Sequence, residues 1–166
     1  HGVHRGVLKS GKTDDRNVFI NNLIKLSKNV KFDIYGINKV QPIWADQYFK
    51  TIINSKMGLN LSRGKPIKYY SSDRLTQITA NGLVTLIDEK TMYNDFFSDK
   101  EMVFYKNISD LSEKIIKLTR DDKLRRSIGH KGKLKYLKYF NSTLVSEFII
   151  DRSMGYRSKK KYLWIK

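Results

Sequence analysis

Residues 69–88 read YYSSDRLTQITANGLVTLID, and they contain the signals for one complete helix and the strand that follows it. The polar trio SSD at residues 71–73 can cap a helix, because its side-chain oxygens accept hydrogen bonds from free backbone N–H groups. Gly82 is typical of the left-handed residue that follows a helix. The run LVTLID is almost continuously apolar, like a strand buried in a parallel sheet. The stretch therefore predicts a helix over residues 73–81 and a buried strand over residues 83–88.

The same alternation of strands and helices continues in both directions. Further strands are predicted at residues 2–4, 31–36, 57–62 and 102–105. Further helices are predicted at residues 16–27, 45–54, 91–97, 108–118, 121–140 and 142–153, the first of them capped by Asp14 or Asp15. This order predicts an α/β fold, a Rossmann-like parallel β-sheet flanked by helices, with extra helices at the C-terminus.

The composition is that of one ordinary folded domain. The chain has 166 residues and no cysteine, which excludes a disulfide scaffold and thiolate chemistry. No apolar run approaches the roughly 20 residues that span a bilayer, and the N-terminus lacks the apolar core of a secretory signal. We expect a domain over residues 1–154, a basic tail over residues 155–166, and a cytoplasmic location.

The formal net charge of +17 has two interpretations. Basic proteins commonly bind polyanions. The excess is mostly lysine accompanied by many Ile and Asn, however, and a low-GC coding bias produces the same composition. The charge is spread over both halves of the chain, without a recognised nucleic-acid motif. We therefore expect no nucleic-acid partner, with a basic nucleic-acid-binding module as the alternative.

The loop after the predicted strand 57–62 contains the residues of a phosphate site. It carries SRGK at residues 62–65, and the next helix begins at residues 71–73. Parallel sheets bind ligands at the carboxyl ends of their strands, against helix N-termini that carry partial positive charge. Arginine also grips phosphate oxygens with two parallel hydrogen bonds. The sequence therefore predicts a crevice for a phosphate or diphosphate.

Three segments resemble one known family. The pattern R-x-x-Q-x-x-A-x-G-L-V-T-L, which begins at Arg74, resembles the R-x-x-E-x-x-A-x-G motif of the group 1 glycosyltransferases of the GT-B fold. Residues 110–142 are similar to the helices that follow in that family. HRGVLKSGKTDDR, residues 4–16, stands where the family has a glycine-flanked arginine and lysine. The resemblance covers nearly the whole chain and is greatest to the spore-coat and capsule-type subgroup.

The resemblance implies the donor-binding, C-terminal half of a GT-B enzyme. Such an enzyme transfers a hexose-type sugar from a nucleoside diphosphate sugar to a glycan or lipid-linked acceptor, in bacterial cell-surface polysaccharide synthesis. The sequence begins directly in a predicted strand, so we expect its partner to be the N-terminal acceptor-binding domain of the same full-length protein. Alone, this half is expected to bind nucleotide and transfer little sugar. The nucleotide sugar is a substrate, and no cofactor is expected.

The resemblance also implies roles for individual residues. Arg5, Lys12 and Arg74 are the predicted catalytic residues, which would neutralise the departing diphosphate. Gln77 stands in place of a glutamate that bonds the ribose, and Tyr69 stands where many relatives have another glutamate, so the stereochemical outcome stays open. The remaining predicted substrate-binding residues are Arg63, Gly64, Ser71, Ser72, Asp73 and Trp44, the last of which either stacks near a nucleobase or packs between domains. No metal is predicted, because the sequence has no D-x-D element.

The C-terminal tail permits a third interpretation. YRSKKKYLWIK, residues 156–166, sets three lysines beside Tyr162, Leu163 and Trp164. Basic and aromatic side chains together are typical of segments that contact an anionic membrane surface. Peripheral contact at the inner face of the membrane is therefore one expectation for this tail, and a solvated terminus is the other.

Overall fold

A computed structural model describes residues 14–156 and 160–165. The predicted strand 2–4 and the predicted catalytic residues Arg5 and Lys12 lie outside the described residues. In chain order the helices are α1 Asp15–Leu26, α2 Ala45–Asn54, α3 Asp73–Ala80, α4 Ile108–Arg120, α5 Asp122–Tyr139 and α6 Ser142–Ser153. The strands are β1 Met57–Asn60, β2 Val84–Asp88 and β3 Val103–Tyr105.

The three strands form one parallel sheet in the order β1-β2-β3. Leu86 at the centre of β2 pairs in register with Leu59 on β1 and Val103 on β3. The first four residues of β2 are buried, as the apolar run LVTLID predicts. The structure thus confirms the α/β fold with a parallel sheet flanked by helices.

Side chains of the central strand, β2, point alternately to the two faces of the sheet and contribute to a buried core on each face. Val84 and Leu86 point into one buried cluster together with Leu111 and Ile115 of α4. Ile87 points into a second, largely aromatic cluster formed with residues of α3, α5 and the segment between β2 and β3. Because successive side chains of a strand face opposite sides, this division follows from the sequence of β2.

The predicted helix caps are present. Asp14 caps α1 by accepting a hydrogen bond from the backbone N–H of Arg16 at 2.9 Å. Ser72 caps α3 by accepting one from the backbone N–H of Leu75. Gly82, with φ +81°, then turns the chain into β2. These contacts fix the helix start that the stretch 69–88 predicts.

Two predicted elements differ in the structure. Residues 31–36 run through the structure without joining the sheet, although Phe32 packs against the first core cluster. A β-strand forms only when its backbone is hydrogen-bonded to another strand, and within the described part of the chain no strand pairs with residues 31–36. Residues 91–97 form no α-helix; two 3₁₀ turns, Glu89–Thr91 and Tyr93–Asp95, flank Met92, whose left-handed φ of +58° interrupts a helix.

The C-terminal segment folds back onto the second core cluster. Tyr162 is buried, and its ring lies 5.1 Å from that of Phe148. The ring centroid of Trp164 lies 5.5 Å from that of Phe140. The ammonium group of Lys160 forms an ion pair with Glu147. The aromatic side chains on which the membrane interpretation of the tail depends are therefore engaged inside the protein. Across residues 14–156 and 160–165, no helix is both long and apolar enough to traverse a bilayer.

Candidate functional site

The start of α3 is bonded to the end of β1, at the carboxyl edge of the sheet. The hydroxyl of Ser72 donates to Oδ1 of Asn60, the last residue of β1, over 3.2 Å. In the same turn, Nη1 of Arg74 donates to the carbonyl of Leu61 at 2.7 Å. Strand end and helix start therefore form one unit, which holds the Arg74 side chain beside the sheet edge.

Arg74 is a half-buried cation at this edge of the sheet. Burial lowers the pKa of its guanidinium, and the positive charge of Arg16 lowers it further. The group remains a cation at neutral pH, because arginine titrates far above that range. A half-buried guanidinium is stabilised when an anion binds nearby. This side of the sheet edge is thus suited to a negatively charged ligand.

A cleft of about 480 Å³ opens at this edge, between the N-terminal ends of α2 and α3. Six of the residues predicted from the sequence line it: Trp44, Ser71, Ser72, Asp73, Arg74 and Gln77. The structure therefore brings together the predicted helix start, the predicted cation, the amide and the loop tryptophan. These residues come from two segments that are separated by the whole of β1.

Two helix N-termini face this cleft. α3 begins at Asp73, and α2 begins at Ala45 directly after Trp44, which has no side-chain oxygen to cap the helix. Ala45 adopts a left-handed φ of +46°, a conformation that is unfavourable for a residue with a side chain. The free N–H groups of a helix N-terminus carry partial positive charge. Both helix ends add positive potential beside Arg74, and the first-turn carboxylates Asp46 and Asp73 offset part of it.

Four further residues line the cleft without having been predicted: Ile43, Ala45, Tyr48 and Tyr70. Tyr48 lies one helical turn after Trp44, and this spacing could have identified it once Trp44 was selected. Tyr70 adjoins the predicted Ser71 in sequence. Trp44 is 60% exposed and Tyr70 49% exposed, so both rings present open surface at the cleft.

Tyr48 and Gln77 join α2 to α3 across the cleft. The hydroxyl of Tyr48 donates a hydrogen bond to Oε1 of Gln77. Burial raises the pKa of Tyr48, while the positive charge of Arg74 opposes that effect. Tyr48 is therefore a neutral phenol at physiological pH. With Oε1 engaged, Gln77 retains its amide N–H₂ group to donate to a ligand.

Arg63 and Gly64 do not line the cleft. Nε of Arg63 lies 3.3 Å from Oδ2 of Asp14, and the arginine side chain is 66% exposed. Asp14 is buried and also accepts two side-chain hydrogen bonds from Arg16, at 3.0 and 2.9 Å. Gly64 has φ +69° and open space around it, as expected for a turn residue. Arg63 thus engages the cap of α1, and Arg16, which was not predicted, binds the same carboxylate.

The described residues, 14–156 and 160–165, contain no cluster of three His, Asp or Glu side chains that could hold a metal ion. The cleft is lined by one carboxylate, that of Asp73, while the groups that bring positive charge to it are the guanidinium of Arg74 and the N-termini of α2 and α3. These groups bind anions by hydrogen bonding and electrostatic attraction.

Comparison with known proteins identifies the family. Searches of the curated proteins and of the solved structures gave no significant match. The model of the family described as glycosyl transferase-like matches residues 16–151, a segment that contains the sheet, helices α2 to α5 and every residue that lines the cleft. Because this match covers most of the chain, the protein belongs to the glycosyl transferase-like family, and its function is of the glycosyltransferase type.

Proposed function

We propose that the cleft binds the diphosphate of a nucleotide-sugar donor. One observation carries the proposal: the N-termini of α2 and α3 and the half-buried Arg74 converge on a single cleft of suitable size. Peptide N–H groups and a guanidinium are the donors that proteins use for phosphate oxygens. The diphosphate is the part of a nucleotide sugar with the highest charge density, so it matches the most positive part of the cleft.

The ends of the cleft suit the remaining parts of a nucleotide. The exposed rings of Trp44 and Tyr70 offer flat apolar surface on which a nucleobase can stack. Gln77, held by Tyr48, offers amide N–H groups to a ribose oxygen. Ser71 and Asp73 also line the cleft, and we propose that the Ser71 hydroxyl donates to the phosphate or the sugar and that the Asp73 carboxylate accepts from a sugar hydroxyl. We propose these roles for the predicted substrate-binding residues of the cleft.

The proposed mechanism follows from where charge develops. Cleavage of the bond between the sugar and the phosphate leaves a negative charge on the departing nucleoside diphosphate. Donors that are already oriented around the diphosphate stabilise the transition state more than the ground state. Arg74 and the start of α3 have this role in our proposal. Arg5 and Lys12 are proposed as additional cations.

We further propose that the chain is the donor-binding half of a GT-B enzyme of the spore-coat and capsule-type subgroup. In this proposal a second, N-terminal domain of the full-length protein binds a glycan or lipid-linked acceptor, in the cytoplasm of a bacterium. The support is the R-x-x-Q-x-x-A-x-G pattern beginning at Arg74 and the match to the glycosyl transferase-like family. The chain alone is expected to bind nucleotide without efficient transfer to an acceptor.

The test is a thermal-shift panel of nucleoside diphosphates and hexose-type nucleotide sugars. A ligand that binds only the native state raises the apparent melting temperature in proportion to RT ln(1 + [L]/Kd). We expect at least one nucleoside diphosphate to raise it, and the matching nucleoside monophosphate to raise it less because one phosphate is missing. Equal melting temperatures with and without every member of the panel would contradict donor binding.

A further inference from the structure

Helix α5 turns one face away from the core, and this face combines leucine with basic side chains. Leu134 is 55% exposed and Leu137 is 44% exposed. The exposed side chains around them are Arg126, His130, Lys131 and Lys138. Spacings of three, four and seven residues set these positions on the same side of a helix. We call these six residues the α5 outer face.

The charge of the α5 outer face is of one sign. Asp122 is the sole acidic residue of α5, and it lies in the first turn, paired with Arg125 and Arg126. Lys131 and Lys138 form no ion pair with a carboxylate within residues 14–156 and 160–165. Positive charge without a local counter-ion therefore flanks both exposed leucines.

The other exposed apolar side chains near the C-terminus lack this combination. Ile149 and Ile150 of α6 are exposed, as is Met154 at its C-terminal cap, but the same helix carries the carboxylates of Glu147 and Asp151. Tyr162 and Trp164 of the basic tail pack against Phe148 and Phe140. The sequence suggested exposed apolar side chains next to basic ones in the tail, but in the structure this combination occurs on α5.

We propose that the α5 outer face docks on an anionic lipid surface. Leucine side chains insert at the boundary between headgroups and acyl chains, while lysine stems extend along apolar surface and carry their ammonium groups to the phosphates. Each basic side chain near an anionic leaflet strengthens the attraction, and the effect decays within a Debye length. An anionic leaflet complements both the charge and the exposed leucines, whereas a purely polar polyanion would leave the leucines in water.

Vesicle sedimentation tests the proposal. The full chain is mixed with vesicles of phosphatidylglycerol and phosphatidylcholine, or of phosphatidylcholine alone, at low and at high salt. Wild type is expected to sediment with the anionic vesicles and to be released by salt. The double variant Lys131→Glu, Lys138→Glu should bind at least about tenfold more weakly. Leu134→Ser, Leu137→Ser, which leaves the net charge unchanged, should weaken binding roughly three- to tenfold.

A matched control separates the α5 outer face from the overall charge of the protein. Lys100→Glu, Lys106→Glu changes two exposed lysines that are not on α5 and alters the net charge by the same amount. This variant should keep most of the binding. Equal loss in this control, or no sedimentation of wild type with anionic vesicles, overturns the proposal. The lipid proposal is also overturned, in favour of a site for polyanions, if the leucine variant binds anionic vesicles as wild type does and duplex RNA displaces the wild-type protein from them.

Folding and ligand binding are measured alongside. All six substituted side chains are exposed, so every variant should remain folded; the two serines, which are weaker helix formers than leucine, should lower the melting temperature only slightly. The affinity for a nucleoside diphosphate should also be unchanged, because the α5 outer face does not line the cleft. If the α5 substitutions weakened nucleotide binding as much as they weakened vesicle binding, the α5 outer face would not be an independent docking surface.

Discussion

The hydroxyl of Tyr48 on α2 donates a hydrogen bond to the side-chain oxygen of Gln77 on α3. This contact joins the two helices whose N-termini face the cleft. It also fixes the direction in which the Gln77 amide can donate to a ligand. The geometry of the proposed donor site thus depends on a contact between residues 29 positions apart in the sequence.

Tyr48→Phe should weaken nucleotide binding without unfolding the protein. The substitution removes one hydrogen bond, so the expected loss is about 0.5–1.5 kcal/mol, or roughly two- to tenfold in affinity. Calorimetric titration with the best nucleoside diphosphate measures it. Tyr156→Phe, on an exposed side chain outside the cleft, is the control. Affinities of Tyr48→Phe and Tyr156→Phe that agree would show that the contact has no role in ligand binding.

Arg63→Ala should have little effect on nucleotide affinity. The Arg63 side chain is exposed and its salt bridge is to Asp14, at the start of α1. Removal of Arg63 leaves the buried Asp14 paired with Arg16, so its carboxylate keeps a partner. We expect a change of less than about threefold in affinity, measured by the same titration. A loss of tenfold or more would place Arg63 in the donor site, as its position in the loop after β1 suggested.

Gly129→Ala should destabilise the protein. A β-carbon at residue 129 would lie 2.2 Å from the carbonyl oxygen of Gly82, so α5 would have to move away from the turn that leads into β2. Overpacking of this kind costs about 3 kcal/mol, which lowers the melting temperature by roughly 6–12 °C. Calorimetric melting measures it, with His130→Ala at the exposed neighbouring position as the control. If Gly129→Ala melted at the same temperature as His130→Ala, α5 would have room for a β-carbon beside the turn, in contradiction to the 2.2 Å distance.

The free energy of unfolding should fall as the pH rises above about 10. Burial raises the pKa of Tyr105 above its ordinary value of 10.0, and the negative charge of Asp88 raises it further. The native state therefore retains the phenolic proton at pH values at which the unfolded state has lost it. The stabilisation by Tyr105 is fully present below the pKa that its phenol has in the unfolded state. It is lost as the pH rises from that value through the higher pKa of the native state.

Denaturant unfolding from neutral pH to about pH 11 measures this dependence. In Tyr105→Phe the decline above about pH 10 should be shallower than in wild type, because the titrating group is gone. Tyr139→Phe serves as the control. Parallel curves for wild type and Tyr105→Phe would rule out Tyr105 as a source of the alkaline instability.

Local sequence signals predicted the elements that position the site. The SSD trio and Gly82 bound α3, and the run after Gly82 is β2, because caps and apolar runs act within a few residues. The pairing of Tyr48 with Gln77 depends on how α2 packs against α3, and no local pattern encodes that packing. The role of Arg63 at the ligand stays a prediction, and its ion pair with the buried Asp14 joins segments that no local pattern connects.

The tail shows the same limit of local patterns. Lysines beside Tyr162 and Trp164 suggest a membrane-contacting terminus when the segment is considered alone. In the fold, these two rings pack on Phe148 and Phe140. A sequence pattern identifies apolar side chains, but only the fold shows which of them remain exposed.

The most direct test of the account is a calorimetric titration of Arg74→Ala with the nucleoside diphosphate that binds wild type most tightly. Arg74→Ala should lose about 1.5–3 kcal/mol of binding free energy, roughly ten- to a hundredfold in affinity, because a charge-assisted contact to the diphosphate is removed. Arg126→Ala, on an exposed arginine outside the cleft, should bind as wild type does. Equal affinities for wild type and Arg74→Ala would contradict the claim that the diphosphate is held at the start of α3.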